Sequence, residues 1–188
     1  MNIALIGYGY WGPNVAKNIF ANKKLHLHTI CDVRQARLDK ARDLYVEQSR
    51  YETDYHKLLS NSDIDAIAVA TETSAHFQVV RDILKAGKHV YVEKPFTSSV
   101  GEAEELTKQA ADKGLVIHVD HIMLYHPCIR KIRELVVSGE LGDFLYIEAM
   151  RMNLGQIKKD VSAMADLAVH DLSIIDYLSG GKEPFNIK

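Results

Sequence analysis

The chain has 188 residues, 47% hydrophobic and 26% charged, with 23 Lys+Arg against 25 Asp+Glu for a formal net charge of -2. These proportions belong to a globular protein of one domain or one and a fraction. They exclude a disordered or acidic-tail protein and leave no basic excess to grip nucleic acid or an anionic membrane. Cys31 and Cys128 are too few and too far apart for a disulfide framework or a zinc module. The opening MNIALIG carries no basic leader, and no run approaches the roughly 18 apolar residues that span a bilayer, so a soluble, cytoplasmic protein with reduced thiols is expected.

In chain order, residues 2–6 form a short apolar run that predicts a buried strand, and 13–21 have helical periodicity. Residues 26–31 predict a strand and 35–45 a charged helix. An irregular link leads to a short helix at 55–60. Then come a strand at 66–70, a helix at 75–86 with the stripe Val79, Val80, Ile83 and Leu84, and a strand at 88–92. A helix at 101–113 and a strand at 115–120 complete this part. Gly87 and Gly114 sit just past two of the helices, where a left-handed residue ends a helix. Apolar strands without strict alternation, separated by helices, predict a parallel sheet covered on both faces. The expected fold over 1–120 is therefore α/β, a Rossmann doubly wound parallel sheet.

Residues 121–188 differ in character. A break at His126–Pro127 precedes a helix at 128–138, a turn at 141–143, one long strand at 144–152, a polar irregular stretch at 153–162 and a helix at 164–179 closed by Gly180 and Gly181. A lone strand makes no stable sheet. It must join the first domain, pair with another chain, or belong to an incomplete α+β C-terminal domain; the last is the expectation adopted.

Gly7-Tyr8-Gly9-Tyr10-Trp11-Gly12 is a GxGxxG between the first strand and the first helix. Gly7 permits the tight turn, Gly9 leaves backbone bare for a pyrophosphate, and Gly12 lets helix and strand pack closely. Pro13 suits the first helical turn, and the helix start offers free N–H groups to phosphates. Tyr10 and Trp11, the variable positions of the turn, count among the expected cofactor contacts. Asp32 stands where an acidic residue should accept the ribose hydroxyls, and it would repel a 2′-phosphate. NAD is favoured, with Arg34 and Arg37 keeping NADP as the lesser reading. A nucleoside-binding methyltransferase shares this logic. An NTPase phosphate loop is excluded because no Gly-Lys-Ser/Thr follows.

Three further motifs stand at matching places: Ala70-Thr71-Glu72-Thr73-Ser74-Ala75-His76 and Glu93-Lys94-Pro95 after two of the strands, and Asp166 with His170 on the last helix. With the glycine fingerprint, the set resembles the glucose–fructose oxidoreductase/inositol dehydrogenase (Gfo/Idh/MocA) family over nearly the whole chain. The wording from Gly7 to Asn14 and from Asp166 to Leu172 is most similar to its nucleotide-sugar branch, whose members oxidise the C3 hydroxyl of UDP-N-acetyl-hexosaminuronic acids. The resemblance implies an NAD-dependent dehydrogenase acting on a sugar or nucleotide sugar. Lys94 would contact substrate beside the nicotinamide, and Glu93 would hold a cofactor hydroxyl or orient Lys94. Thr71 and His76 would lie beside the nicotinamide half. A cis bond before Pro95 is frequent in the family, and Pro usually stands at or near Thr73. His121 and Tyr125 fall where the family crosses between domains. The family also continues with a large open sheet that forms the substrate wall and the oligomer interface, so a homo-oligomer is expected through the 144–152 edge or the last helix.

The residues permit plainer readings as well. A lysine at the carboxyl end of a parallel strand would polarise a reacting oxygen, yet it is equally a solvated lysine beside a turn proline. His170 has the acidity of a general base and Asp166 shares its helical face four residues earlier. By pattern alone the two are a surface pair, and the resemblance is what makes them catalytic. His118, Asp120, His121 and His126 lack converging ligand spacing, so no metal is expected. The alternative to an enzyme is a dinucleotide-binding module without turnover.

Overall fold

Short apolar strands and amphipathic helices alternate through the first 120 residues of the computed structural model, which describes residues 1–45, 49–152 and 161–185. The elements are β1 (Asn2–Ile6), α1 (Gly12–Ala21), β2 (His26–Cys31), α2 (Gln35–Leu44), β3 (Arg50–Glu52), α3 (His56–Leu59), β4 (Ala66–Val69), α4 (Thr73–Lys85), β5 (His89–Val92), α5 (Val100–Asp112) and β6 (Ile117–Val119). All five strand pairings are parallel and the sheet order is β3-β2-β1-β4-β5-β6. That order reverses between β1 and β4, the point where doubly wound sheets open a crevice above their carboxyl ends.

The alternation along β1 shows why both faces are covered. Ala4 and Ile6 join Ile67, Val69 and Val92 under Val80, Ile83 and Leu84 of α4 and Leu106 of α5. Ile3 and Leu5 face the other way, onto Val15 and Ile19 of α1 and Leu38 of α2. Neither side of the strand meets water, so its sequence shows no polar alternation. The glycines expected to end helices have positive φ, +76° at Gly87 and +64° at Gly114.

β3 falls within the predicted irregular link. Arg-Tyr-Glu carries no apolar run, and this edge strand exists because β2 offers it a ladder, Thr29 to Arg50 through Cys31 to Glu52.

Contacts divide the chain into two units, Met1–Asp120 and His121–Lys188. The second contains a 3-10 turn (Ile122–Tyr125), α6 (Pro127–Val137) and α7 (Ala163–Ser179). Within it, Arg133 of α6 donates to the Leu178 carbonyl at 2.9 Å and lies over the Tyr177 ring. A cation is thereby placed at the carboxyl end of α7, where helix carbonyls are left over. Arg151 meets the Asp171 carboxylate in a two-pronged ion pair, with contacts of 2.7–3.1 Å. The guanidinium holds the Asp171 carboxyl below its ordinary range.

The strand expected at 144–152 is corrected. Among the described residues this segment has no ladder partner and is not a strand, with Leu145 92% and Tyr146 81% exposed. A β-strand is a property of pairing, and alternating apolar residues alone do not satisfy its N–H and C=O groups. The irregular stretch expected from residue 153 lies outside the described residues up to 160.

Candidate cofactor and active site

Five residues that immediately follow strands continue the sheet by one more register step. Asp32 N–H donates to Glu52 O, Gly7 N–H to Cys31 O, Ala70 N–H to Ile6 O, Glu93 N–H to Val69 O and Asp120 N–H to Val92 O, at 2.8–3.2 Å. In spatial order they form one row, Asp32, Gly7, Ala70, Glu93 and Asp120, along the carboxyl edge. From Asp32 to Glu93 is three inter-strand steps, about 14 Å at ~4.8 Å each.

The glycine turn is a backbone cradle. Gly7 has φ +97°, and a Cβ there would lie 2.6 Å from the Ala70 carbonyl oxygen. At Gly12 a Cβ would collide with the Gly7 carbonyl oxygen itself. Gly9 differs: a Cβ would meet only the Arg37 guanidinium, at 3.5 Å, so bare backbone is exposed beneath a movable side chain. α1 begins at Gly12 with Pro13 in its first turn, and no side chain among the described residues caps it. Its leading N–H groups are those an anion would take. Tyr10 is largely exposed and Trp11 partly so, beside this turn.

Asp32 is 4% exposed at the end of β2. Its carboxylate accepts from Tyr8 N–H at 2.8 Å, Arg34 N–H at 2.9 Å and Arg37 Nη1 at 3.0 Å. The acid thus locks the glycine turn to the second strand, and Arg37, retained from sequence only as a phosphate candidate, is its charge partner.

Across the switch point, two exit loops are braced together. His76 lies inside α4, almost fully buried, with Nδ1 2.9 Å from the Pro95 carbonyl and Nε2 3.3 Å from that of Thr71. The Lys94–Pro95 bond is cis. Thr73 is the first residue of α4, a position that suits threonine or proline alike. Thr71 Oγ1 and Glu93 Oε1 are buried without a hydrogen-bond partner among the described residues. Buried polar atoms of this kind are rare and call for a partner. Glu93 stands beside Asp120, which is 6% exposed, and its pKa is pushed up to about 8, first by burial and then by the neighbouring Asp120 carboxyl; Lys94 pulls the other way. This carboxyl pair was not foreseen. Asp120 ends its strand as Asp32 ends β2, but only the β5–β6 register places it beside Glu93.

Lys94 lies in the first unit, Asp166 and His170 in the second. On α7 the last two are half-buried and one turn apart, as spacing predicts. Ser162 caps that helix by accepting from Ala165 N–H, and Asp166 N–H reaches the Ser162 carbonyl at 2.9 Å. Asp166 therefore sits in the first turn, where a carboxylate is favoured. Among the described residues no three His, Cys, Asp or Glu gather as a metal set, and no helix is long and apolar enough to cross a membrane.

The arrangement fits a dinucleotide: a cradle closed to side chains at Gly7 and Gly12, an uncapped helix start, a carboxylate at one end of the row and orphaned acceptors toward the other. A family model described as "Oxidoreductase family, NAD-binding Rossmann fold" (GFO_IDH_MocA) matches residues 1–121. The UDP-N-acetylglucosamine 3-dehydrogenase of Acidithiobacillus ferrooxidans is 30% identical over 190 residues, covering 100% of this chain and 57% of that protein. The scyllo-inositol 2-dehydrogenase (NAD(+)) of Bacillus subtilis is 26% identical, over 95% of this chain and 54% of its own length. The crystal structure of Lactobacillus casei scyllo-inositol dehydrogenase with bound NAD(H) and scyllo-inositol superposes with a TM-score of 0.81 at 23% identity, over 96% of this chain and 56% of that one. The chain spans about half the length of the curated relatives it matches.

Proposed function

Because the chain belongs to the Gfo/Idh/MocA oxidoreductases, with their NAD-binding Rossmann fold, we propose that it works in hydride transfer between NAD and a CH–OH group of a sugar, specifically a nucleotide sugar. The observation that carries this is the row at the carboxyl edge, with Asp32 at the adenosine end, Gly7, Gly9 and Gly12 beneath the diphosphate, and the unsatisfied Thr71 Oγ1 and Glu93 Oε1 toward the nicotinamide end. Bound NAD supplies the hydride acceptor.

This chain's residues do the rest. Asp32 accepts the adenosine ribose hydroxyls and disfavours a 2′-phosphate. Tyr10 and Trp11 flank the diphosphate. His76 holds the two exit loops in register, so that Thr71 and Glu93 meet the nicotinamide side. Lys94 stabilises negative charge on the substrate oxygen. His170 takes the hydroxyl proton, and Asp166, one turn before it, orients the imidazole. The nucleotide-sugar assignment rests on the 30% identity over the full chain and on the wording around Gly7 and Asp166. Residues 1–120 form the cofactor domain and 121–188 part of the substrate domain. A cytoplasmic location and self-association complete the proposal.

Fluorescence titration with NADH, then a panel of UDP-N-acetyl sugars with scyllo-inositol as contrast, tests it. We expect NADH to bind, NADPH to bind about tenfold more weakly, and a UDP sugar to reduce NAD. Absence of NADH binding would sink the reading. Binding without turnover of any sugar would leave a dinucleotide-binding module.

A further inference from the structure

The carboxyls of Glu93 and Asp120 come from adjacent parallel strands at the same register step, one residue beyond the paired Val92 and Val119. Register partners in a parallel ladder share a face of the sheet, so the two carboxyls stand side by side one inter-strand step apart. Carboxyl groups so placed can bond to each other only through a proton, because two carboxylates are both acceptors. Asp120 is 6% exposed, so water screens the pair poorly. Glu93 Oε1 is buried and has no donor among the described residues. The other titratable or charged groups adjoining the pair are Lys94, next along the chain, His121, next after Asp120, and His76 of α4, whose ring is bonded to the Pro95 carbonyl.

We infer that Glu93 and Asp120 are a single proton-sharing unit linked to the charge of the nicotinamide ring, giving up their shared proton when the oxidised, cationic cofactor binds and keeping it when the reduced, neutral one does. The inference rests on the cofactor placement proposed above. Its physical basis is general. A cation beside two carboxyls favours their full ionisation, and a neutral ring of the same shape does not. Two such groups titrate as a pair, so the proton belongs to neither residue alone. Burial raises the pKa of the last proton on the pair toward neutrality, Glu93 standing at about 8, which places the exchange in the working pH range.

The test is calorimetric. Binding of NAD+ and of NADH to the full chain is measured at pH 7.5 in phosphate and in Tris, whose ionisation enthalpies differ, and the protons released are counted. We expect NAD+ to release about half a proton more than NADH, as proton linkage requires. In Asp120→Asn that difference should fall at least fivefold while NADH still binds. Carboxyl NMR of the ligand-free wild type, with Glu93 titrating well above ordinary glutamates, separates the pair from the imidazoles of His76 and His121. Equal release by both cofactors in the wild type, or a difference that survives Asp120→Asn, overturns the inference while leaving the cofactor site intact. Failure of either dinucleotide to bind overturns the functional proposal and this inference with it.

Discussion

Gly9 and Gly12 are three residues apart in one motif, yet the structure gives them different work. A methyl group at Gly12 would press on the Gly7 carbonyl oxygen, which is backbone and cannot swing aside. Gly12→Ala should therefore cost about 1–3 kcal/mol of stability as overpacking. Gly9→Ala meets only the tip of Arg37 at 3.5 Å and should change stability by no more than about 0.5 kcal/mol, while weakening NADH binding at least tenfold. Urea unfolding together with fluorescence titration of both variants checks the pair. The opposite assignment, with Gly9→Ala unstable and Gly12→Ala merely weak in binding, would mean that the turn is built otherwise. The places of Gly7, Gly12 and Asp32 were legible in the sequence because strand, turn, helix and acid are all local or at fixed spacing. The Glu93–Asp120 pair was not legible, since a contact across 27 positions depends on which strands are neighbours. Nor was the Arg37–Asp32 contact, because the same guanidinium suits a phosphate or a carboxylate and only coordinates choose between them.

At the scale of elements, β2 ends in a thiol that the fold silences. Cys31 is 2% exposed, and burial, followed by the Asp32 charge, pushes its pKa up to about 12. The reactive species is the thiolate, so Cys31 should resist alkylation in the native protein, whereas the exposed Cys128 should react freely. Mass spectrometry after iodoacetamide should find one label per folded chain and two after denaturation. Rapid double labelling without denaturant would show that the β2 end opens. Element positions in the first unit were legible to within a residue or two because the long helices bury apolar stripes and β4 and most of β1 are apolar runs. β3 escaped because an edge strand of three residues has no compositional signal. The 144–152 segment misled for the converse reason: Phe144, Tyr146, Glu148 and Met150 alternate with Leu145, Ile147 and Ala149 well enough for a strand, but pairing partners are not written in the segment itself.

At the scale of the whole molecule, the two units stand on unequal terms. The first carries two buried clusters on either side of its sheet. In the second, Leu178 is the one buried hydrophobic residue among those described, while Leu145, Tyr146, Met150, Met152 and Leu172 are each more than half exposed. Contiguous apolar surface characterises interfaces, and the self-association proposed above would cover these residues. Light scattering coupled to size-exclusion chromatography should therefore give a mass above the 21.2 kDa of one chain, and Leu145→Glu with Tyr146→Glu should lower it toward the monomer. A monodisperse monomer in the unaltered protein would refute self-association through this surface.

The single register row has a consequence for how this chain tolerates change in length. Each of its five positions is counted from the paired body of a strand, so one residue inserted inside β5 would put Val92 in the place of Glu93, push Glu93 into that of Lys94, and turn the neighbouring side chains to the opposite face of the sheet. The same insertion in the loop entering β5 would be absorbed before the count begins. Insertions and deletions should accordingly be accepted at the amino-terminal rim of the sheet and rejected within its strands, whatever residues they introduce.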